Sequence, residues 1–167
     1  MPIYYWESSG LVKRYKPEIG TPVVYELFDG RGPGEDFATS YITEVEATSV
    51  LAREHRGGHL TNTTYREMRA LLREDLAERL RVLPVSNNLL SAATELAAEF
   101  TLRAADAIQL ATALFLHEQT PSLFLVSSDR RVNEAASARR LRILNPEDPS
   151  DINPLRQRRA SGAGGTR

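Results

Sequence analysis

Residues Leu123–Ala138 read LFLVSSDRRVNEAASA, and this stretch decides the fold class. Leu123 to Val126 are four consecutive apolar residues bounded by polar ones, the pattern of a short strand buried on both faces. Ser127, Ser128 and Asp129 follow, residue types whose side chains accept hydrogen bonds from the open amides of a helix N-terminus, and Asp129 to Ala138 is then predicted as a helix. A buried strand that runs directly into a helix is the unit of a parallel sheet covered by helices.

The same unit recurs on the N-terminal side. Ile3 to Trp6 is a short apolar and aromatic run suited to a buried strand, and Ser8 or Ser9 offers an N-cap for a helix through Tyr15. Pro17 ends that helix, and Thr21 to Phe28 reads as a second short helix closed by Gly30. Asp36 to Ser40 is a second strand, followed by a helix from Ile42 to Arg56 that stops at Gly57 and Gly58. Thr61 to Leu80 carries Tyr65, Met68, Leu71, Leu72, Leu76 and Leu80 at helical spacing. Arg81 to Val85 reads as a short strand, Ser86 to Phe100 and Arg103 to Glu118 as helices, and Leu141 to Leu144 as the last strand before Asn145 and Pro146. The expected fold is therefore a three-layer α/β/α arrangement around a central, mostly parallel sheet.

At 167 residues the chain has the size of one domain, expected to span residues 1–148. Residues 149–167 read as a tail, disordered from about Leu155 onward, because RQRRASGAGGTR carries four arginines among small residues with no apolar periodicity. Twenty-one basic residues against 22 acidic ones give a net charge of −1, so any nucleic-acid site must be a local feature. The absence of cysteine excludes disulfides, thiolate nucleophiles and cysteine-ligated metal centres. Neither a signal-peptide pattern nor an apolar run of membrane-spanning length occurs, which leads us to expect a cytoplasmic protein with no membrane partner.

In an open parallel sheet, ligands bind beyond the C-terminal ends of the strands. Four acids fall there: Glu7 after the first strand, Glu46 in the first turn of the helix after the second, Asp106 in the first turn of the alanine-rich helix, and Asp129 after LFLV. Each also has a local explanation. Glu7 and Asp106 complement helix dipoles, Thr43 to Glu46 has the capping-box spacing, and Asp129 suits an N-cap. Converging on one edge, however, four carboxylates repel one another unless a cation neutralises them, and hard divalent ions take oxygen ligands of this type. A cation so held lowers the pKa of bound water and offsets charge on phosphate oxygens, the requirements of phosphodiester hydrolysis.

These residues also carry a family resemblance over about Ile3 to Pro146. ESSGLVKRY from Glu7 to Tyr15 resembles the opening motif of PIN-domain ribonucleases, and Glu46 in TEVEATSVLAR, Asp106 in LRAADAIQLATAL and Asp129 in VSSDRRVNEAA resemble their second, third and fourth acids, in the manner of VapC-like toxins of toxin–antitoxin pairs. The resemblance implies dependence on Mg²⁺ or Mn²⁺, an RNA substrate, a homodimer, and a small antitoxin as partner. Ser9 matches the motif serine of the family; its local alternative is the N-cap of the first helix. The first acid departs from the family, being Glu7 in place of Asp, which moves the carboxylate oxygens by about one methylene in a site sensitive to shifts below 1 Å.

Lys13 and Arg14, beside Glu7, and Arg103 and Arg130, beside Asp106 and Asp129, are candidates to hold an RNA backbone; the alternative is ordinary exposed charge. The helices at Thr21–Phe28 and Ile42–Arg56 are expected to offer an apolar groove to an antitoxin segment. His55 and His59 are separated by Gly57 and Gly58 and do not form a zinc-protease pair, and the glycine-rich run at 30–34 lacks the features of a phosphate loop. Two other functions compete with a nuclease: a PIN-like binding module whose Glu7 has weakened catalysis, and a phosphoacceptor domain. The second needs a lysine late in the chain, and the only lysines are Lys13 and Lys16.

Overall fold

The computed structural model describes residues 2–163. Five strands form one sheet: β1 (Ile3–Trp6), β2 (Asp36–Ser40), β3 (Arg81–Leu83), β4 (Leu123–Val126) and β5 (Arg142–Leu144). Their order is β3-β2-β1-β4-β5, and all four pairings are parallel. The helices are α1 (Ser8–Leu11), which tightens into a 3-10 turn over Val12–Arg14, α2 (Thr21–Asp29), α3 (Ile42–Arg56), α4 (Asn62–Glu78), α5 (Asn87–Phe100), α6 (Ala104–Gln119), α7 (Arg130–Ala138) and α8 (Asn153–Ala163). This is the α/β fold the strand–helix units predict.

Strand alternation divides the core in two. Ile3, Tyr5, Leu123 and Leu125 face one side and pack with Leu89, Leu96, Leu110 and Leu116 of α5 and α6. Tyr4 and Trp6 face the other side, where Leu11, Phe28, Phe37, Leu51 and Leu72 surround them. The aromatic rings of Trp6, Phe28 and Phe37 meet at centroid distances of 5.2 to 5.5 Å, the spacing at which edge-to-face and tilted pairs are favourable. Because β1, β2 and β3 progress one way and β4 and β5 lie on the opposite side of β1, the strand order reverses between β1 and β4. A crevice opens at such a switch point, at the C-terminal ends of the strands.

The reading of residues from about 149 as a disordered tail is corrected. Pro149–Ile152 form a 3-10 turn that leads into α8, and Ile152 and Leu155 are buried in the Tyr4–Trp6 half of the core. Arg156 pairs with Glu26, and Arg159 with Glu35 at 2.7 Å. Composition understated this segment because two apolar side chains and two arginines suffice to dock it on α2, and their partners are more than a hundred residues away in sequence. Residues 164–167 of the expected tail lie outside the described residues. No helix among the described residues is long and apolar enough to cross a membrane.

Candidate functional site

Glu7 leaves β1 as the N-cap of α1, where its Oε2 accepts from the Ser9 amide at 3.0 Å and from the Ser9 hydroxyl. The N-cap is thus Glu7 and not either serine. The Ser9 hydroxyl also accepts from the amides of Ser128 and Asp129, at 2.9 and 3.1 Å, and so joins the loop after β1 to the loop after β4. Gly10 permits this approach, since a Cβ there would lie 2.5 Å from the Val126 carbonyl oxygen. Asp129 caps α7 by accepting from the Val132 amide at 3.0 Å, as its local explanation predicts.

Glu46 has a different environment from the capping box its spacing suggests. Helix α3 starts at Ile42, which moves Glu46 into the second turn, and Thr43 is buried with its hydroxyl 2.7 Å from that of Thr39. Glu46 Oε2 instead accepts from the Ser8 hydroxyl at 2.5 Å and from Gln109 Nε2 at 2.7 Å. Gln109 is fully buried, accepts the Tyr5 hydroxyl at 2.6 Å, and also directs Nε2 at Ser8 and Thr43. Sequence reasoning missed Gln109. Its only signal is that it stands three residues after Asp106 on α6, and therefore on nearly the same helix face.

Glu7, Glu46, Asp106 and Asp129 all line one cleft of about 360 Å³, with Ser8 and Ser9 at its base and Arg53 and Arg103 at its edge. Their electrostatics reflect that grouping. Burial pushes the Glu7 carboxyl up to about 7, against the two Ser9 hydrogen bonds that favour its charged form, and Glu46 adds to the rise. Asp106 is held above the usual carboxylate value by burial and by the charges of Asp129 and Glu46, with Arg103 opposing. Among the described residues no three acids or histidines stand close enough to enclose a metal ion. The fit to a hard divalent ion therefore rests on the donor chemistry: oxygen ligands of like charge around one opening, with one oxygen of Glu7 and of Glu46 outside the hydrogen bonds given above.

Two of the expected RNA contacts are corrected. Lys13 is buried, with Nζ 2.9 Å from Glu18 and 2.6 Å from Glu147. Arg14 is buried as well, its Nε 2.6 Å from Asp75, its Nη1 2.9 Å from Asp29, and its guanidinium 4.3 Å from the centre of the Phe28 ring. Both belong to internal ion pairs, because the 3-10 turn after α1 rotates them into the protein. Arg103 is exposed at the cleft edge. Arg130 is exposed, pairs with Glu134 at 3.7 Å, and lines a neighbouring depression with Phe100 and Thr101. Arg53, which the sequence reading did not single out, is at the cleft edge.

A family model described as PIN domain matches residues 4–138. Ribonuclease VapC45 from Mycobacterium tuberculosis (strain CDC 1551 / Oshkosh) is 28% identical over 156 residues, covering 92% of this chain and all of the relative; ribonuclease VapC49 from strain ATCC 25618 / H37Rv gives the same figures. Among solved structures, PAE2754 from Pyrobaculum aerophilum superposes with a TM-score of 0.61 at 19% identity, covering 96% of each chain. VapBC2 from Rickettsia felis, bound to a DNA fragment from its promoter, superposes with a TM-score of 0.58 at 16% identity, covering 86% of this chain and 98% of that one.

Proposed function

This chain belongs to the PIN domain family, and from that premise we propose that it is a divalent-metal-dependent endoribonuclease, the toxin of a toxin–antitoxin pair, which hydrolyses RNA phosphodiesters. The observation that carries the reading is the convergence of Glu7, Glu46, Asp106 and Asp129 on one cleft at the switch point of the sheet, with Arg53 and Arg103 at its edge. Carboxylates without cations do not attract a polyanion, so this edge suits RNA only when a cation is held among them. Mg²⁺ or Mn²⁺ in this cleft, with one or two of the acids as direct oxygen donors and the others reached through water, would supply charge neutralisation at the phosphate and a water of lowered pKa.

The chain's own residues set up that chemistry. Ser9 holds one oxygen of Glu7 while it clamps the Asp129 loop, so both acids are oriented by one hydroxyl. Ser8 and Gln109 hold Glu46 from the opposite wall. Arg103 and Arg53 offer guanidinium groups to phosphate oxygens on either side of the scissile bond. The acids exclude a phosphate from the empty cleft and admit it once neutralised.

The similarity to VapC ribonucleases, and to the VapBC2 complex, supports a small antitoxin as partner; a homodimer in the cytoplasm completes the reading. A second reading, a PIN-like RNA- or protein-binding module with weakened catalysis, is favoured by one feature: Glu7 is longer than the family's Asp and almost entirely buried. One set of measurements separates the two. The nuclease reading expects Mg²⁺-dependent cleavage of RNA that is lost in Asp106→Asn, together with calorimetric Mn²⁺ binding lost in the same variant. RNA binding without cleavage in the wild type would leave the binding module.

A further inference from the structure

Helix α3 presents an unusual row. Tyr41, Val45, Ser49 and Arg53 follow one another at intervals of four residues, which places them along a single ridge of the helix about 18 Å long. All four are exposed, Tyr41 and Val45 to 64% and 67%, although large apolar side chains in this chain are mostly buried. Val45, Ser49 and Arg53 line the acidic cleft, and Tyr41 stands one turn beyond it at the end of β2. Tyr41 also borders a second depression of about 250 Å³, lined by Ser40, Glu44, Arg73, Leu76 and Val82.

We propose that this ridge is the track of a single-stranded RNA past the cleft: Tyr41 stacks on a base that enters the second depression, Val45 supports the neighbouring nucleotide, and Arg53 holds a phosphate on the opposite side of the acids. The chemistry matches that ligand in each part. Aromatic faces stack on any base, and an exposed tyrosine next to an open depression leaves room for one. Arg53 and Arg103 at the cleft place positive charge where a backbone would pass, in a chain whose net charge is −1, whereas Arg73 beyond Tyr41 is paired with Glu44 at 3.6 Å. A purely apolar partner helix would instead want a ridge apolar along its length, and Ser49 and Arg53 occupy half of this one.

The inference rests on the nuclease reading only in taking RNA as the ligand of the cleft, and its test does not require cleavage. Fluorescence anisotropy with Ca²⁺ in place of Mg²⁺, so that the acids are neutralised, would follow binding of a labelled single-stranded 12-nucleotide RNA to the full chain. Tyr41→Ala should weaken binding roughly 5- to 150-fold, the range for loss of one stacked base, while Tyr41→Phe should stay within about twofold of wild type. Arg53→Gln should lower the slope of log affinity against log salt by about 0.7, the contribution of one phosphate on a single strand. Wild-type affinity in Tyr41→Ala, equal losses in Tyr41→Ala and Tyr41→Phe, or an absence of RNA binding by the wild type would each overturn the proposal. Retained RNA affinity with loss of a co-expressed small partner protein would also overturn it, because the ridge would then belong to a protein. Tyr41-dependent binding with no Mg²⁺-dependent cleavage would sustain the track and remove the nuclease reading; cleavage with unchanged binding in Tyr41→Ala would do the reverse.

Discussion

Gln109 Nε2 lies 2.7 Å from Glu46 Oε2 while its own carbonyl oxygen accepts the Tyr5 hydroxyl at 2.6 Å. An acid of the cleft is thereby positioned from the central strand of the sheet, through a side chain that never reaches solvent. Burial holds the Tyr5 phenol well above its ordinary pKa, which favours the O–H form that donates to Gln109. The direction of the chain, from Tyr5 through Gln109 to Glu46, is therefore set.

Replacing Gln109 by Leu keeps the volume and removes both ends of this link. The Tyr5 hydroxyl then loses its Gln109 partner, while Thr43 keeps Thr39, and the expected loss of stability is about 1–3 kcal/mol. Urea denaturation measures it. Cleavage activity should fall further than the stability loss accounts for, because Glu46 is freed; a variant as active and as stable as wild type would show that the link has no positional role.

Glu7→Asp should raise Mg²⁺-dependent cleavage of RNA. Aspartate is also a good N-cap, so the bond from the Ser9 amide can survive the change while the second oxygen moves by about one methylene. Equal activity would mean that backbone or water adjustment absorbs the difference. Reduced activity would mean that the site is built around the longer acid. Asp129→Asn should abolish cleavage, since it removes a charge from the cleft and does not merely displace one.

Stability should depend on pH through Glu7. Its carboxyl is pushed up to about 7 from an ordinary value of 4.5. Below the ordinary value it is protonated in both folded and unfolded chains. Between the two values the unfolded chain has ionised and the folded one has not, so the unfolded state binds fewer protons and stability falls as pH rises. The decline levels off above the folded value, at a total of the order of 2–4 kcal/mol. Urea denaturation of wild type and Glu7→Gln in EDTA, compared from pH 4.5 to 8, should show a clearly steeper decline in the wild type, with only the smaller part due to Asp106 left in the variant. A divalent ion that binds the ionised form should raise the melting temperature more at pH 8 than at pH 6.

Asp75 is buried and accepts from Arg14 Nε at 2.6 Å and from the Tyr15 hydroxyl at 2.9 Å. Asp75→Ala leaves the Arg14 guanidinium with Asp29 as its remaining ion-pair partner and should cost up to about 3–5 kcal/mol. RNA affinity, corrected for the folded fraction, should be unchanged. A lowered salt slope in a folded Arg14 variant would restore that residue to the RNA contacts.

Leu155→Ala should destabilise the fold by about 2–5 kcal/mol if α8 is an integral part of the core. A change within the error of denaturation would mean that the segment is dispensable, as its composition suggests.

Much of this protein is legible in its sequence. LFLVSSDRRVNEAASA and IYYWESSGLV carry strand, turn and helix in immediate succession, and local physics decides such units, so the α/β class and the location of Glu7 and Asp129 at strand ends follow from pattern alone. Glu46 was also placed on the right helix, although in its second turn and not in a capping box. Less local features were misread. Lys13 and Arg14 look like surface charge because their neutralising partners, Glu147 and Asp75, are distant in sequence.

The sequence by itself determined the periodicity of burial, the order of strands and helices, and the placing of Glu7, Asp106 and Asp129 at helix starts, because each depends on residues within a few positions of one another. Tertiary structure alone decided the rest: the placement of β4 beside β1, which brings Asp129 to Glu7 through Ser9; the selection of Gln109 as the support of Glu46; the turning of Lys13 and Arg14 inward; the docking of α8; and the exposure of Tyr41 in line with Arg53. Each depends on which groups meet across the sheet. Those meetings are set by strand order and by the competition of every buried polar group for a partner, quantities that no window of sequence contains.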